Sequence, residues 1–462
     1  MTTLTKLLIA NRGEIACRIA RTCKALDIPV VAVHSEADQG ALHVEMADEA
    51  YPIGPAPAKT SYLNVDALIA VAKQNGANAV HPGYGFLAES PDFARRVVSE
   101  GLIWVGPKPE TIADMGDKER ARDIAVASGV PVLPGSARFQ PGDLQGLDAA
   151  ADAAGYPLLA KAACGGGGIG MRRVDAVDAL QDTVAATQSM AQRAFGDGSI
   201  YLERFVPNAR HIEVQVCGFG DGTGVHLYDR DCSLQRRFQK IVEEAIAPDV
   251  AIDVRQTMEA AALSLVRHER YSGAGTVEFI YDMDRREAYF LEMNTRIQVE
   301  HPVTEMITGI DLIRWQIEQA AETLLALDQS AVRPEGHAVE ARIYAERPEK
   351  GFLPAPGLLE TIEWPEQNGS LRIDKGIRAG DRITPHYDPM IAKLVALGND
   401  REMALDTLSA ALAETQIIGT STNLRFLRDV VASEAFRAGG VSTAFLPDWH
   451  RVWASDAAIS LG

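Results

Sequence analysis

The stretch Glu292-Met-Asn294-Thr-Arg296-Ile-Gln298-Val-Glu300 places five polar groups at alternate positions, with Met293, Ile297 and Val299 among the residues between them. In an extended chain alternate side chains share a face. One side therefore presents carboxylate, amide, guanidinium, amide and carboxylate in order, and the other is largely apolar and can pack on a core. A further carboxylate, Glu278, interrupts the apolar run Thr-Val-Glu-Phe-Ile one strand earlier, and the polar turn at 282–286 would let a hairpin bring it near Glu292. Two such carboxylates suit Mg²⁺, a hard cation that takes oxygen ligands and usually keeps substrate phosphates in its shell. Farther along, the planar guanidinium of Arg296, beside Gln298, can grip a small oxyanion in two places, and Glu300 can accept its proton. An edge strand with surface ion pairs is the plainer alternative, but such a strand seldom needs that assortment.

Gly165, Gly167 and Gly170 have the G-x-G-x-x-G spacing. In a dinucleotide site that fingerprint opens a helix whose N-terminus holds the pyrophosphate. Here Met171-Arg-Arg-Val174 follows instead, a short extended run, and a helix is expected only after Asp175, which can cap it. A Walker A loop is excluded as well, because Gly-Lys-Ser/Thr is absent and the nearest lysine, Lys161, precedes the glycines. The pattern is that of a strand, glycine loop, strand hairpin whose backbone N–H groups can close over phosphates; a merely flexible hairpin is the alternative.

The elements that must position these groups alternate along the chain. Residues 6–10 and 29–33 are short β-branched apolar runs flanking a helical pattern at 14–26. The alternation continues with a helix at 65–74, a strand at 77–80, a helix at 92–99 and a strand at 102–105, which predicts a parallel, doubly wound sheet. From about 131 to 206 a smaller unit carries a strand at 158–162, the glycine run, a short strand and an alanine-rich helix, the size of a mobile lid. Strands at 212–217, 224–228, 276–281 and 288–293 then mix with helices near 254–269 and 311–326, before a C-terminal α+β segment. The expected domains are 1–115, 116–206 (linker plus a lid at about 133–206), 207–340 and 341–462.

Composition narrows the function classes. A chain of 462 residues has room for about three domains, and 47% hydrophobic with 23% charged residues is an ordinary globular balance. No run of some 18 apolar residues is present, and the N-terminus lacks the plan of a signal peptide, so a cytoplasmic location with no membrane role is expected. Cys17, Cys23, Cys164, Cys217 and Cys232 are odd in number with no CxxC spacing, which supports neither a disulfide framework nor a zinc site. The formal charge of −18 would repel a phosphate backbone, so nucleic acid is not an expected partner.

Several segments together resemble the biotin carboxylase component of biotin-dependent carboxylases over nearly the whole chain. They are Ile9-Ala-Asn-Arg-Gly-Glu-Ile-Ala16, His81-Pro-Gly-Tyr-Gly-Phe-Leu87, the lysine and glycine run 161–171, Arg230-Asp-Cys-Ser-Leu-Gln-Arg-Arg237, residues 239–244 and residues 292–305. The resemblance implies an ATP-grasp fold, α/β and α+β, with an N-terminal doubly wound domain, a central lid and a C-terminal domain. It implies an ATP-dependent ligase that carboxylates biotin from bicarbonate through carboxyphosphate, with Mg²⁺ or Mn²⁺. Carried over by residue, it makes Lys118 and Lys161 phosphate contacts, together with the loop Gly165, Gly166, Gly167, Gly168, Gly170 and Met171. Glu203, His211 and Gln235 would surround the adenosine. Glu278 and Glu292 would hold the metal, with Asn294 beside them. Lys240, Arg296, Gln298 and the Val299 backbone would bind bicarbonate, and Glu300 would be its base. Arg342 would stabilise the biotin enolate, with Tyr84 near the biotin pocket.

Three departures from the family pattern are visible. Ile169 and Phe238 stand where many members carry a basic residue and a histidine, which is expected to alter nucleotide affinity rather than abolish activity; Ile246 stands where proline is common. The Gly-Gly-Ile-Gly-Met form of the loop, Phe195-Gly-Asp and Leu202-Glu-Arg204 are similar to urea carboxylase members. No Ala-Met-Lys-Met-like biotinylation site occurs, so biotin is expected on a separate carrier protein. A separate carboxyltransferase subunit, an acetyl-CoA or propionyl-CoA carboxylase system and a homodimer complete the expectation. The alternatives are the same half-reaction in a urea-type carboxylase, another ATP-grasp ligase that activates a carboxylate for amide formation, and a catalytically silent ATP-binding regulatory subunit.

Overall fold

The computed structural model describes residues 3–163, 170–236 and 239–460. Strands β1 (Leu7–Ile9), β2 (Val30–His34), β3 (Glu49–Pro52), β4 (Ala79–His81) and β5 (Ile103–Trp104) form a parallel sheet in the order β3-β2-β1-β4-β5. Short continuous apolar runs suffice because both faces are covered. Leu7 and Ile9 pack with Ile15 and Ile19 of α1 (Gly13–Ala25), while Leu8 faces Leu68 and Ile69 of α2 (Val65–Gln74) and Phe93 and Val97 of α3 (Pro91–Ser99). Sequence pattern missed β3 because none of its residues is fully buried. Beside β1 the strand order reverses, and chains leaving β1 and β4 there diverge around a crevice. Asn11, just past β1, ties its rim by donating from Nδ2 to the carbonyls of Pro82 and Tyr84, both at 2.7 Å.

After α4 (Lys118–Ala127) comes a small antiparallel sheet in which β6 (Leu158–Ala162) lies between β7 (Met171–Val174) and β8 (Ile200–Arg204). This is the expected hairpin. Residues 164–169, with Gly165, Gly166, Gly167, Gly168 and Ile169, lie outside the described residues, as do Arg237 and Phe238. Leu180 and Val184 of α5 (Leu180–Phe195) cover the sheet at Leu158, Ala160 and Leu202. Asp175 does not cap that helix. Its carboxylate pairs with Arg173 at 2.6 Å, a charge-assisted bond that outcompetes a cap. A 3₁₀ turn at Val177–Ala179 intervenes, and α5 starts at Leu180.

The rest of the chain is organised by one antiparallel sheet of eight strands. These are β9 (Ala209–Phe219), β10 (Gly224–Arg236), β11 (Gln239–Ala245), β12 (Ser272–Asp282), β13 (Glu287–Asn294), β14 (His337–Tyr344), β15 (Leu371–Lys375) and β16 (Met390–Gly398). Their order is β13-β12-β9-β10-β11-β14-β16-β15, and β14 runs through residue 340. Alternation along β9 sends Ile212, Val214 and Val216 against Met258, Ala262 and Leu265 of α6 (Ile252–Glu269), each contributing about 1.5–3 kcal/mol by leaving water. The same alternation turns His211, Glu213 and Gln215 to the opposite face. Beyond β13, α7 (His301–Thr308) and α8 (Leu312–Ala320) follow. The helix expected over 311–326 stops at Ala320, because Glu322 takes a left-handed φ of 57° and Thr323 N–H closes on the Glu318 carbonyl. At the far end Ala341, Leu394 and Ala396 pack on Leu405, Leu408 and Leu412 of α9 (Arg401–Glu414). The Ala245–Ile246 peptide is cis. Among the described residues no helix is long and apolar enough to cross a membrane, and Cys17, Cys23, Cys217 and Cys232 are free and buried.

Candidate active site

A cavity of about 910 Å³ lies where the crevice beside β1 and β4, the three-stranded lid and the polar face of the large sheet meet. Its floor is set by strand register. Glu278 on β12 is directly opposite Glu292 on β13 and Glu213 on β9, and Glu213 is opposite Arg230 on β10. The hairpin thus brings Glu278 beside Glu292, as its sequence pattern indicates. Burial and the neighbouring Glu278 charge raise the Glu292 carboxyl above its ordinary value. Two facing carboxylates, with Asn294 Nδ2 donating to Glu278 Oε1 at 2.9 Å, form a hard oxygen-rich donor set that fits a divalent cation.

The extended-strand explanation of the period-two face holds only to Asn294. There β13 ends, and residues 295–300 leave the sheet in an irregular segment that turns into α7 at Glu300. The alternation survives because Met293 and Ile297 still anchor in the core, at 3% and 0% exposure. Arg296 spans the polar side, donating to Asn294 Oδ1 and Gln298 Oε1 at 2.9 Å each and pairing with Glu89 at 2.9 Å. Gln298 Nε2 reaches Glu278 Oε1 at 3.2 Å.

Lys240, from β11, sits among three carboxylates: Glu213 at 2.5 Å, Glu300 at 2.6 Å and Glu278 at 3.1 Å. Arg342, from β14, holds the other Glu300 oxygen at 2.8 Å and also pairs with Glu243. Burial alone would raise the Glu300 carboxyl, but Lys240, Arg342 and Arg230 outweigh it and hold Glu300 well below its ordinary value. Burial, with the Glu300 charge, pushes Glu243 up to about 7 against the pull of Arg342. Cys232 Sγ lies 3.8 Å from Glu300, with its thiol raised well above the ordinary value by burial and Glu213.

The remaining expected residues surround the same space. Lys118 opens α4 above Glu292, behind an N-cap in which Asp117 accepts from the Glu119 and Arg120 N–H groups at 3.0 Å each. Lys161 on β6 is paired with Glu203 on β8. Met171 lines the lid side next to Gly170, whose φ of 94° demands glycine. His211 Nε2 is 2.8 Å from Glu278, and its Nδ1 is 2.8 Å from the Gln235 amide. Tyr84 reaches in from the N-terminal crevice and donates to Glu14 at 2.7 Å, and Val299 lines the wall near Arg342. The expected site residues among those described thus border this one cavity, except Gly170, which lies behind the lining residues Ala162 and Met171; Gly165 to Gly168 cannot be placed against it because they fall outside the described residues.

Sequence reading missed Glu213, Glu243, Glu14, Lys393 and Glu340. For Glu213 a signal existed, since His211-Ile-Glu213-Val-Gln215 repeats the period-two pattern of the Glu292 segment. Lys393 is the lone charge in the apolar run of β16.

Comparison with known proteins gives three matches in tandem: "Biotin carboxylase, N-terminal domain" over residues 3–112, "Carbamoyl-phosphate synthase L chain, ATP binding domain" over 117–327 and "Biotin carboxylase C-terminal domain" over 340–448. The mitochondrial methylcrotonoyl-CoA carboxylase subunit alpha of Mus musculus is 48% identical over 97% of the chain, but the chain spans only 62% of that relative. Biotin carboxylase 2 of Bacillus subtilis (strain 168) is 46% identical over 96% of the chain and 99% of its own length. Among solved structures, the biotin carboxylase domain dimer of Hydrogenobacter thermophilus 2-oxoglutarate carboxylase, determined with MgADP, ADP and bicarbonate, superposes with a TM-score of 0.91 at 41% identity, covering 97% of this chain and 98% of that one. Since the likeness to a free-standing relative runs from end to end and takes in the lid, the polar face and the C-terminal strands alike, the chain belongs to the biotin carboxylase family of ATP-grasp ligases.

Proposed function

We propose that this chain uses ATP and bicarbonate to carboxylate biotin borne by a separate carrier protein. The observation that carries the reading is the Glu300 carboxylate suspended between Lys240 at 2.6 Å and Arg342 at 2.8 Å in the cavity that Tyr84 also lines. Bicarbonate is a weak nucleophile, so its attack on a γ-phosphate needs a base, charge on the phosphates and a held geometry. Arg296, Gln298, Lys240 and the Val299 backbone are the groups that would hold the anion. As Lys240 turns to that anion, its grip on Glu300 weakens and the carboxylate becomes basic enough to take the bicarbonate proton. Carboxyphosphate would form as ADP leaves, and would then break down to CO₂ and phosphate. The biotin ureido nitrogen, giving its proton to the released phosphate, would attack CO₂ while Arg342 offsets the charge on the ureido oxygen.

Glu278 and Glu292, with Asn294, would hold Mg²⁺ or Mn²⁺, which supplies charge neutralisation on the nucleotide phosphates when bound. Lys118 and Lys161 would contact those phosphates, and Glu203, His211 and Gln235 the adenosine. The present Lys161–Glu203 pair must open for a phosphate to take the ammonium. Gly170 and Met171, with Gly165 to Gly168, would close over the nucleotide and keep water from the labile intermediate.

A carrier protein, a carboxyltransferase partner, a homodimer and a cytoplasmic setting belong to the same proposal, as does the division into domains at 115, 206 and 340. For the final acceptor we propose an acyl-CoA, the class supported by the methylcrotonoyl-CoA carboxylase relative; it does not single out acetyl-CoA or propionyl-CoA. Measuring ATP hydrolysis by the purified chain with and without bicarbonate and free biotin tests the reading. Turnover that depends on both is expected. Turnover that needs an amine acceptor instead, or tight ATP binding with none, would replace it by an amide-forming ligase or a silent subunit.

A further inference from the structure

The turn that carries Gln298, Val299 and Glu300 is gripped from behind by two buried side chains. His301 Nδ1 lies 2.7 Å from the Gln298 carbonyl, and Lys393 Nζ donates to the Val299 carbonyl at 2.8 Å. A peptide unit is planar and trans, so its N–H points away from its C=O. Fixing these two carbonyls therefore aims the N–H groups of Val299 and Glu300 as well. Lys393 is 0% exposed on β16, in register with Arg342 on β14 and Asp374 on β15. Its second partner is Glu14 Oε1 at 3.2 Å, in the first turn of α1, and the other oxygen of that carboxylate accepts from the Tyr84 hydroxyl at 2.7 Å. The N- and C-terminal parts meet there without slack, since a Cβ added to Gly376 would lie 2.1 Å from Glu14 N. For stability alone a well-packed apolar side chain would serve at least as well as a desolvated ammonium. A lysine in that place is explained by what it aims.

We propose that Lys393 is a positioning residue for the carboxylation reaction: clamped between the Val299 carbonyl and Glu14, it locks the anion-holding turn to Tyr84, so that the bicarbonate and biotin halves of the site keep one fixed geometry. The proposal rests on the functional reading above.

The test is steady-state kinetics of bicarbonate- and biotin-dependent ATP hydrolysis by Lys393→Met, with melting temperatures. Because the nucleotide contacts lie elsewhere, the ATP KM should stay within about twofold while kcat falls by about tenfold to a hundredfold and the biotin KM rises. Lys393→Met leaves Glu14 with Tyr84 as its side-chain partner among the described residues, so the double variant Lys393→Met/Glu14→Leu should recover the melting temperature without recovering kcat. Recovery of both together, or a single variant with wild-type kcat, would overturn the proposal while leaving the functional reading intact. Wild-type protein with no turnover on bicarbonate and biotin would overturn the functional reading, and this proposal with it.

Discussion

Glu300→Gln keeps the shape of the side chain and removes its charge and its basicity. The structural cost is limited by what the two flanking cations retain: Lys240 keeps Glu213 at 2.5 Å and Glu278 at 3.1 Å, and Arg342 keeps Glu243. Neither cation is orphaned, so the loss is that of charge-assisted hydrogen bonds, about 1–3 kcal/mol, rather than the larger cost of a stranded buried ion. Spread over a chain of this length, that lowers the melting temperature by only about 1–3 °C. Removing a general base should cost kcat about 10²–10⁴-fold, or roughly 3–5 kcal/mol of barrier. The assay is kcat for ATP hydrolysis at saturating bicarbonate and biotin beside a thermal melt. A variant that turns over within about tenfold of wild type would refute the role of base. A melting temperature that collapses in step with kcat would instead mean that the carboxylate chiefly balances charge.

Arg230 is fully buried against Glu213, Gln215, Thr304 and Thr276, so Arg230→Met leaves Glu213 with Lys240 and takes the donor from Gln215, which should cost about 1–3 kcal/mol in urea unfolding; no measurable loss would contradict that. Gly376→Ala drives a Cβ to 2.3 Å from Gly13 C and 2.1 Å from Glu14 N, so it should lower both the melting temperature and biotin-dependent turnover, and a neutral phenotype would mean that α1 shifts freely. Burial and Asp229 raise Glu259, near His226 at 3.7 Å, to about 7, with Arg255 pulling the other way. A carboxyl raised on folding contributes stability that is complete below its ordinary value near 4.5 and is lost as the pH climbs through about 7. Glu259→Gln should therefore gain on wild type by about 1–2 kcal/mol from pH 5 to pH 8 in denaturant melts, and parallel pH profiles would exclude it. Phe238→His and Ile169→Arg should change the ATP KM, and no change in either would count against the nucleotide-affinity expectation.

What the sequence reveals here is local. The alternation from Glu292, the lone carboxylate of Glu278 and the polar turn between them suffice to place two acids face to face, because a hairpin is a short-range structure and its register follows from its pattern. The glycine hairpin is legible for the same reason. The period-two pattern at 211–215 marks Glu213 as polar-facing but not its partners, and the roles of Glu14 and Lys393 are not legible, because those partners lie tens to hundreds of residues away and only the assembled sheet and the abutment at Gly376 bring them together. Local pattern even misleads in places: Asp175 has the type and position of a cap, yet a neighbouring arginine claims it. The extended face past Asn294 is an irregular turn whose alternation is kept by two core side chains rather than by a strand.

The eight-stranded sheet makes the carboxyl-terminal quarter inseparable from the site. Cutting the chain near residue 340 would halve β14 and leave β11 with a bare row of hydrogen-bonding groups, an adhesive border prone to recruit other chains. It would also divide Lys240 from Arg342, which reach Glu300 from adjacent β11 and β14. The acids at one border and the cations toward the other ride on one continuous sheet, so under the function proposed above any closing over a nucleotide falls to the separate three-stranded sheet across the cavity.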